Sequence, residues 1–447
     1  MSSNTIQRVA TANMYDSTIR NLGQRQSTLS NLQENLTSGK RVVRASDDPV
    51  AAAQAERALT RISRIQAEQR SLATQRDSIA QAESTLGDAV NVIQAMRELV
   101  VSAGNGSYKD EDRTTVANQL QSLREQLLDI ANRKDTNGVP LLGALGSQLT
   151  AFLGPLSTSP DYQFNGQPGQ AASVGTSIAS TLDGHATFMF DPQRDGVFEA
   201  AISNANPAYP LDGRQFTTSA VTVTNSQQLQ EPAPPAAPYT YSVAFTGVTT
   251  NPDGTFNATY DITSTNPAYV SPGPQTVSNL TPDKASSIAV SITDPGGATL
   301  GFSVSALATK DPTTGAIAFS PAPGDTVTLS ASASLFSTLD SAIQGIGSAA
   351  NNNAATQAVG QALANIDAGL ARLQNVRGYA GELLNRADRI SGDQDNRSIQ
   401  LEADRSRAED LDMIQGISDF QNAQTGYQAA LKSYAQVQQL SLFNFLS

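Results

Sequence analysis

The 447-residue chain is predicted to be mainly α with a β insert: a long antiparallel helical coiled-coil bundle built from both chain ends, carrying an inserted β-rich outer domain. Three observations lead there. First, residues 151–330 hold 19 of the 21 prolines, and prolines at that density are hostile to helix interiors. Second, the N-terminal flank carries an unbroken seven-residue apolar repeat. Third, the C-terminal flank carries a matching one, so the two ends pair around the insert and the termini lie together. The expected division is 1–40 with 396–447 as an inner terminal-helix domain, 41–150 with 331–395 as a helical bundle domain, and 151–330 as the insert. A chain of this length is expected to hold two to four domains at roughly 100–200 residues each.

The strongest periodic signal is Ile65, Leu72, Ile79, Leu86, Ile93 and Val100, spaced by seven. Ala82, Ala89, Met96 and Ala103 follow three residues after the later ones, whereas the earlier partners, Glu68 and Gln75, are polar. This is a heptad seam, the mark of a long helix supercoiling against others. It serves either a core within the chain or contacts with neighbouring subunits. Pro49 fits the first helical position with Asp48 or Ser46 as cap, and Gly104-Asn105-Gly106 ends the helix. At ~1.5 Å per residue such a helix is about 80 Å long. Val116, Leu120, Leu123, Leu127 and Ile130 predict a return helix, closed by the Asn137-Gly138 turn. Leu22, Leu29, Leu32 and Leu36 predict an earlier helix, which Gly39 closes with a left-handed cap. Its first part, around Ile6 and Val9, is more polar.

On the C-terminal side Val359, Leu363, Ile366, Leu370 and Leu373 repeat at helical spacing, and the register reaches Leu384. After the polar stretch Ser391–Arg397, a last helix carries Met413, Ile417, Phe420, Tyr427, Leu431 and Tyr434. It ends in Leu440, Leu442, Phe443, Phe445 and Leu446. Between the flanks, Tyr239–Thr246, Thr255–Thr263, Ser287–Thr293 and Thr299–Ser305 alternate as strands. Turn clusters at 251–254, 294–297 and 311–315 separate hairpin arms, and Glu231–Pro238 reads as a stiff, extended linker or exposed loop.

Composition excludes several functions. With no Cys, no Trp and one His, there are no disulfides, no thiolate sites and no nucleophilic Cys. The balance of 29 Lys+Arg against 41 Asp+Glu, a net −12, argues against general affinity for nucleic acid or anionic membrane. Nine of those negative charges fall in 151–330, which has 4 basic and 13 acidic side chains. No apolar run of ~18 residues spans a bilayer, and the first 30 residues lack the apolar segment and cleavage site of a secretory signal.

The candidate chemical sites are weak. Gly39-Lys40 resembles the end of a phosphate loop, but Glu34 and Arg41 stand where a glycine and a Ser or Thr are needed. His185 reads as structural. Asp47/Asp48 and Asp110/Glu111/Asp112 read as helix caps and first-turn charges, and Asp393/Asp395 lacks the glycine and distal Glu of a calcium loop. No catalytic, metal or cofactor site is expected, and the protein reads as a non-enzyme. The terminal helices are too poor in apolar side chains to offset their ordering entropy alone, so they are expected to fold on assembly.

Leu36-Thr37-Ser38-Gly39-Lys40-Arg41-Val42 and Ala45-Ser46-Asp47-Asp48-Pro49-Val50-Ala51 closely resemble the N-terminal signature of the flagellin superfamily. Ala408-Glu409-Asp410-Leu411-Asp412 through Tyr427-Gln428-Ala429 fits its C-terminal region. The ending Gln439–Leu446 resembles hook-associated members more than filament flagellins. Thr181–Gly184, Asp195–Phe198 and Pro323–Val327 are similar to the same members. The resemblance covers roughly 1–150 and 330–447, and the long Pro-rich insert loosely. It implies a structural subunit at the hook–filament junction, exported unfolded by the flagellar type III apparatus to the cell exterior. Its implied partners are the first hook-associated protein, flagellin, further copies of itself in a ring, and an export chaperone on the C-terminal helix. It further implies that Leu29, Leu32 and Leu36 pack against Phe420, Tyr427, Leu431 and Tyr434 in an inner shell, and that the 65–100 seam joins 116–130 and 359–384 in the next. The alternatives are a filament flagellin, or a secreted adhesin or binding protein acting through the insert.

Overall fold

A computed structural model describes the backbone of residues 3–146, 149–158, 160–211, 214–233, 237–310 and 317–446, and side chains over the same ranges apart from 3–15, 310, 317–318, 437 and 439–446. In chain order the elements are α1 (Ser3–Ser38), α2 (Pro49–Ala103), α3 (Asp110–Ala131), β1 (Phe152–Leu153), β2 (Gln163–Phe164), α4 (Gly184–Phe188), α5 (Pro192–Asp195), β3 (Phe198–Asn204) and β4 (Thr222–Thr224). After a 3-10 turn come β5 (Tyr241–Thr250), β6 (Phe256–Ser264), β7 (Gln275–Leu280), β8 (Ser286–Thr293), β9 (Thr299–Lys310), β10 (Ile317–Ser320) and β11 (Asp325–Ala331). Helices α6 (Leu335–Gly347), α7 (Asn352–Glu409) and α8 (Met413–Leu446) complete the chain. Contacts divide it into two units, residues 1–71 with 389–447, and residues 72–388. The division falls inside α2 and α7 rather than at residues 40 and 395.

In the first unit, α2 starts where the sequence signals it. Pro49 occupies the first helical position, and Asp48 Oδ1 accepts from Val50 N at 3.1 Å and Ala51 N at 3.0 Å. The heptad frame of Ile65 reaches back through Ala58 and Ala51, all buried. On α7, Gln394, Leu401 and Ala408 are buried at the same spacing, and Leu401 packs on Ile62 and Ile65. Gln69 donates to Asp395 at 2.7 Å between the two helices.

In the second unit, Leu72, Ile79, Leu86, Ile93 and Val100 are buried along α2, as are Ala82, Ala89, Met96 and Ala103. On α7 the buried heptad is Val359, Ile366, Leu373, Ala380 and Ala387. Leu363 and Leu370 are half-buried. Leu384 is also half-buried and its neighbour Leu383 is the buried residue, which corrects the sequence register there. Flanking ion pairs fix the antiparallel alignment: Arg76–Asp388 at 3.1 Å, Arg377–Glu83 at 2.6 Å and Arg97–Asp367 at 2.8 Å. From Arg76 to Arg97 α2 advances 21 residues, and from Asp388 to Asp367 α7 retreats 21. These pairs are about half exposed, so they select register more than they add stability.

Helix α3 packs on α6 with Val116, Leu120, Leu127 and Ile130 buried. Leu123 is half-buried instead, because Arg124 turns inward and pairs with Asp340 at 2.9 Å. The long loops between α3 and β3 are anchored by aromatic rings. Phe188 stacks on Phe336 at 5.2 Å, Phe152 meets both edge-on, and the Tyr162 hydroxyl donates to Asp340 at 2.7 Å. Burial beside that carboxylate pushes the Tyr162 phenol well above its usual pKa.

The insert is a sandwich. One antiparallel sheet has the order β3-β11-β5-β6-β7, and the other places β4, β8 and β10 along β9. Alternate residues face one shared core, Tyr241, Val243, Phe245, Tyr260, Ile262 and Val327 from one sheet, and Ile288, Val290, Ile292, Leu300, Phe302 and Val304 from the other. The four strands expected from alternation correspond to β5, β6, β8 and β9. The expected turn at 311–315 lies outside the described residues.

Leu86 has no exposed surface. Leu86→Ala is expected to cost about 2–5 kcal/mol, and Leu86→Asp, which buries an unpaired charge, to abolish the cooperative helical melt. An unchanged circular-dichroism melt of Leu86→Asp would contradict the seam.

Candidate functional site: the clamp between the two chain ends

The residues that carry the sequence signature at each end meet in the first unit. Helix α1 stops because Gly39 takes a left-handed φ of 70°, which a β-carbon would strain. The chain then runs briefly antiparallel to the segment joining α7 to α8. Leu411 N donates to Gly39 O at 2.9 Å, Arg41 N donates to Glu409 O at 2.8 Å, and Lys40 bridges Asp410. Three residues of one motif are thus stitched to three of the other by main-chain pairing, which depends on backbone geometry rather than on side-chain identity.

Side chains reinforce the stitch. The Lys40 ammonium pairs with the Glu409 carboxylate. Arg41 donates to Ala408 O at 2.8 Å and reaches Asp48 Oδ2 at 3.3 Å. Arg405 joins Glu402 at 2.7 Å and Glu409 at 3.0 Å. The hydrogen bond with Glu402 holds the Arg405 guanidinium above its ordinary pKa and the Glu402 carboxyl below its own. Asp47 Oδ2 accepts from Arg44 N at 2.8 Å and Val43 N at 3.2 Å, which closes the loop before α2. Asp48 is held below the usual carboxylate range, chiefly by the Ala51 amide and then by Arg41. Underneath, Val42, Ala51, Ala55 and Ala408 form a small apolar plug. The Ser38 hydroxyl accepts from Lys40 N at 3.3 Å. Ser38, Gly39, Lys40, Arg41, Asp47, Asp48 and Pro49 therefore all sit in or beside the clamp.

From the clamp α1 and α8 run side by side in opposite directions. A β-carbon on Gly416 would meet Leu411 at 2.7 Å and Leu36 at 3.3 Å, and one on Gly426 would meet Arg25 at 2.7 Å. Counting four residues from Leu36 and Gly416, Leu32 stands level with Phe420. Leu22, Leu29, Leu32 and Leu36 are half-buried, as are Phe420, Tyr427 and Tyr434. Met413, Ile417 and Leu431 are exposed, at 46%, 46% and 39%. Among the described side chains of α1 none is buried, and of α8 only Gly416 is. The side chains of Leu440, Leu442, Phe443, Phe445 and Leu446 lie outside the described residues.

Sequence reasoning did not single out Gly416, Ala55 of the plug, or Ala58, Ala380 and Ala387 of the seam, and it read Ala51 only as part of the signature. Extending the heptad frame by seven in each direction would have found Ala51, Ala58, Ala380 and Ala387. The chemical candidates resolve structurally. Gly39-Lys40 belongs to the clamp. His185 packs edge-on to Phe164 at 5.8 Å, and burial lowers its pKa. Asp110 opens α3 and pairs with Arg113. Among the described residues no cluster of three or more His, Asp or Glu could hold a metal ion, and no helix is long and apolar enough to cross a membrane.

Glu409→Lys sets like charges against Lys40 and Arg405. It is expected to destabilise the clamp by roughly 1–3 kcal/mol, the range for a part-buried charged hydrogen bond. The expected readout is faster protease cleavage within 36–48 and 405–416, with Lys40→Glu restoring resistance in the double variant. Equal cleavage rates in all three proteins would contradict the assignment.

The N-terminal helical region of bacterial flagellin matches residues 9–146, and the C-terminal helical region matches residues 363–446. Flagellar hook-associated protein 3 of Escherichia coli (strain K12) is 32% identical over 204 residues, 44% of this chain and 59% of that protein. The Salmonella typhimurium (strain LT2) protein of the same name is 32% identical over 206 residues, 45% and 59% of the two chains. The chain thus spans about three fifths of the length of these curated relatives. The crystal structure of flagellar hook associated protein-3 from Legionella pneumophila has the same fold, with a TM-score of 0.55 at 23% identity over 78% of this chain and 97% of that one. Both helical ends of the chain, joined through the clamp, are thus similar to the two helical regions of bacterial flagellin.

Proposed function

We propose that the protein is a non-enzymatic structural subunit of the bacterial flagellum that acts at the junction of hook and filament. The observation that carries this reading is the poverty of α1 and α8. Among the described residues, two helices of 36 and 34 residues are attached most firmly at the clamp. Beyond it they leave Ile19, Met413, Ile414, Ile417 and Leu431 exposed by 39% to 85%. Apolar side chains at that exposure favour burial against other subunits, at ~25 cal/mol per Å².

In this reading the neighbours are further copies of the chain in a ring, the first hook-associated protein on one side and flagellin on the other. The end helices travel loosely ordered through the type III export apparatus, with a chaperone covering the C-terminal helix, and become rigid on docking outside the cell. The likeness to hook-associated protein 3 of two bacteria supports the junction over the filament itself.

Ile414 is 85% exposed, so Ile414→Asp is expected to leave the melt of the isolated chain unchanged. In the assembly it forfeits about 2 kcal/mol of burial per subunit and adds a desolvated charge. The variant is expected to fail to incorporate at the junction and to abolish swimming. Normal motility with normal incorporation would count against docking through α8.

A further inference from the structure

The second unit holds a cleft of about 640 Å³ between β3, the strand-flanking segment at Phe216 and the corner where α6 meets α7. A volume of that order suits a small ligand. Its lining combines alanines with hydroxyl and carboxamide side chains that both donate and accept hydrogen bonds. Asn365, on α7, is only 7% exposed, and its carboxamide makes no hydrogen bond with any described residue. The carboxamide of a residue this buried normally finds partners.

Two neighbouring carboxamides are already oriented by the chain. Gln361 Nε2 donates to Ala200 O at 3.0 Å and to Thr218 Oγ1 at 3.2 Å, and Gln357 Oε1 accepts from Thr218 N at 3.2 Å. Glu199 lies in the same lining, with Oε1 enclosed and without a hydrogen-bond partner. Burial there raises its carboxyl pKa, while the Ser341 and Ser332 hydroxyls oppose the shift. Phe216 supplies an apolar surface.

Charge narrows the ligand. The guanidinium of Arg214 at the cleft grips Asp325 with two bonds, at 2.8 and 2.6 Å. Asp325 has no exposed surface, so that positive charge is matched and does not recruit an anion. The surrounding net −9 also disfavours anions. A sugar presents vicinal hydroxyls, each a donor and an acceptor, beside an apolar C–H face. We propose that the cleft bounded by β3, Phe216 and the α6–α7 corner binds a neutral saccharide, with Asn365 as its principal polar contact and Phe216 as its apolar wall. The proposal stands apart from the assembly reading, since it concerns the insert side of the second unit alone.

The test uses the full-length chain and a panel of neutral sugars: glucose, galactose, N-acetylglucosamine, maltose and chitobiose. Saturation-transfer NMR followed by calorimetry is expected to show at least one binder at roughly millimolar affinity. Asn365→Ala, which keeps a strong helix former in α7, is expected to weaken that binding about tenfold or more. Ala201→Trp, at an exposed strand position lining the cleft, is expected to block it while the melt is unchanged. No transfer to any sugar, or full binding by either variant, would overturn the proposal.

Discussion

Everything in the first unit depends on one antiparallel meeting, where the strand-like step after α1 lies against the step between α7 and α8. Three main-chain hydrogen bonds and the Lys40–Glu409 pair bring residues nearly 370 positions apart into register. Once Gly39 has turned the chain and Leu411 N has bonded back to it, α1 and α8 have little choice of direction. The small residue Gly416 then lets Leu36 and Leu411 close over the start of α8. A flexible pair of ends becomes a hinged pair with a fixed root.

The molecule divides its stabilisation between dry and wet contacts. In the second unit Leu86, Ile79 and Ile93 are fully enclosed, and the sandwich core excludes water from both sheets. That much apolar burial holds a unit without help. Along α1 and α8, by contrast, the described contacts are half-open, and charge pairs at that exposure contribute little. Ion pairs such as Arg76–Asp388 and Arg97–Asp367 therefore act as a register code on a seam that hydrophobic burial stabilises. Among the described side chains of α1 and α8 no comparable seam is closed within one copy.

The sequence discloses the parts whose signal is local. Pro49 and Gly104 bound α2, seven-residue spacing marks its core face, and alternation with Asn-Pro-Asp-Gly and Asp-Pro-Gly-Gly turns marks β5, β6, β8 and β9. It hides what depends on distant partners. Strand β3 pairs with β11 more than 120 residues later, so no turn announces either. Arg124 displaces Leu123 from the α3 core face only because Asp340 neutralises it. Ala380, Ala387 and Gln394 continue the α7 seam without an apolar pattern, since alanine is at home on any helix face. Helix α6, capped by Ser334, follows directly on β11 and has no periodic run long enough to stand out. The motif at Ser38–Pro49 is recognisable as a signature, but its role as half of a clamp appears only when Glu409 is beside it.

The most direct measurement is hydrogen exchange by mass spectrometry on the purified, unassembled chain. The account expects amides of α1 and of α8 beyond Gly416 to exchange orders of magnitude faster than those of 72–103, with protection rising at Arg41, Val42 and Leu411, whose amides donate across the clamp. Equal, slow exchange along α8 and residues 72–103 would mean that the end helices are stable in one copy, and would contradict the claim that they await their neighbours.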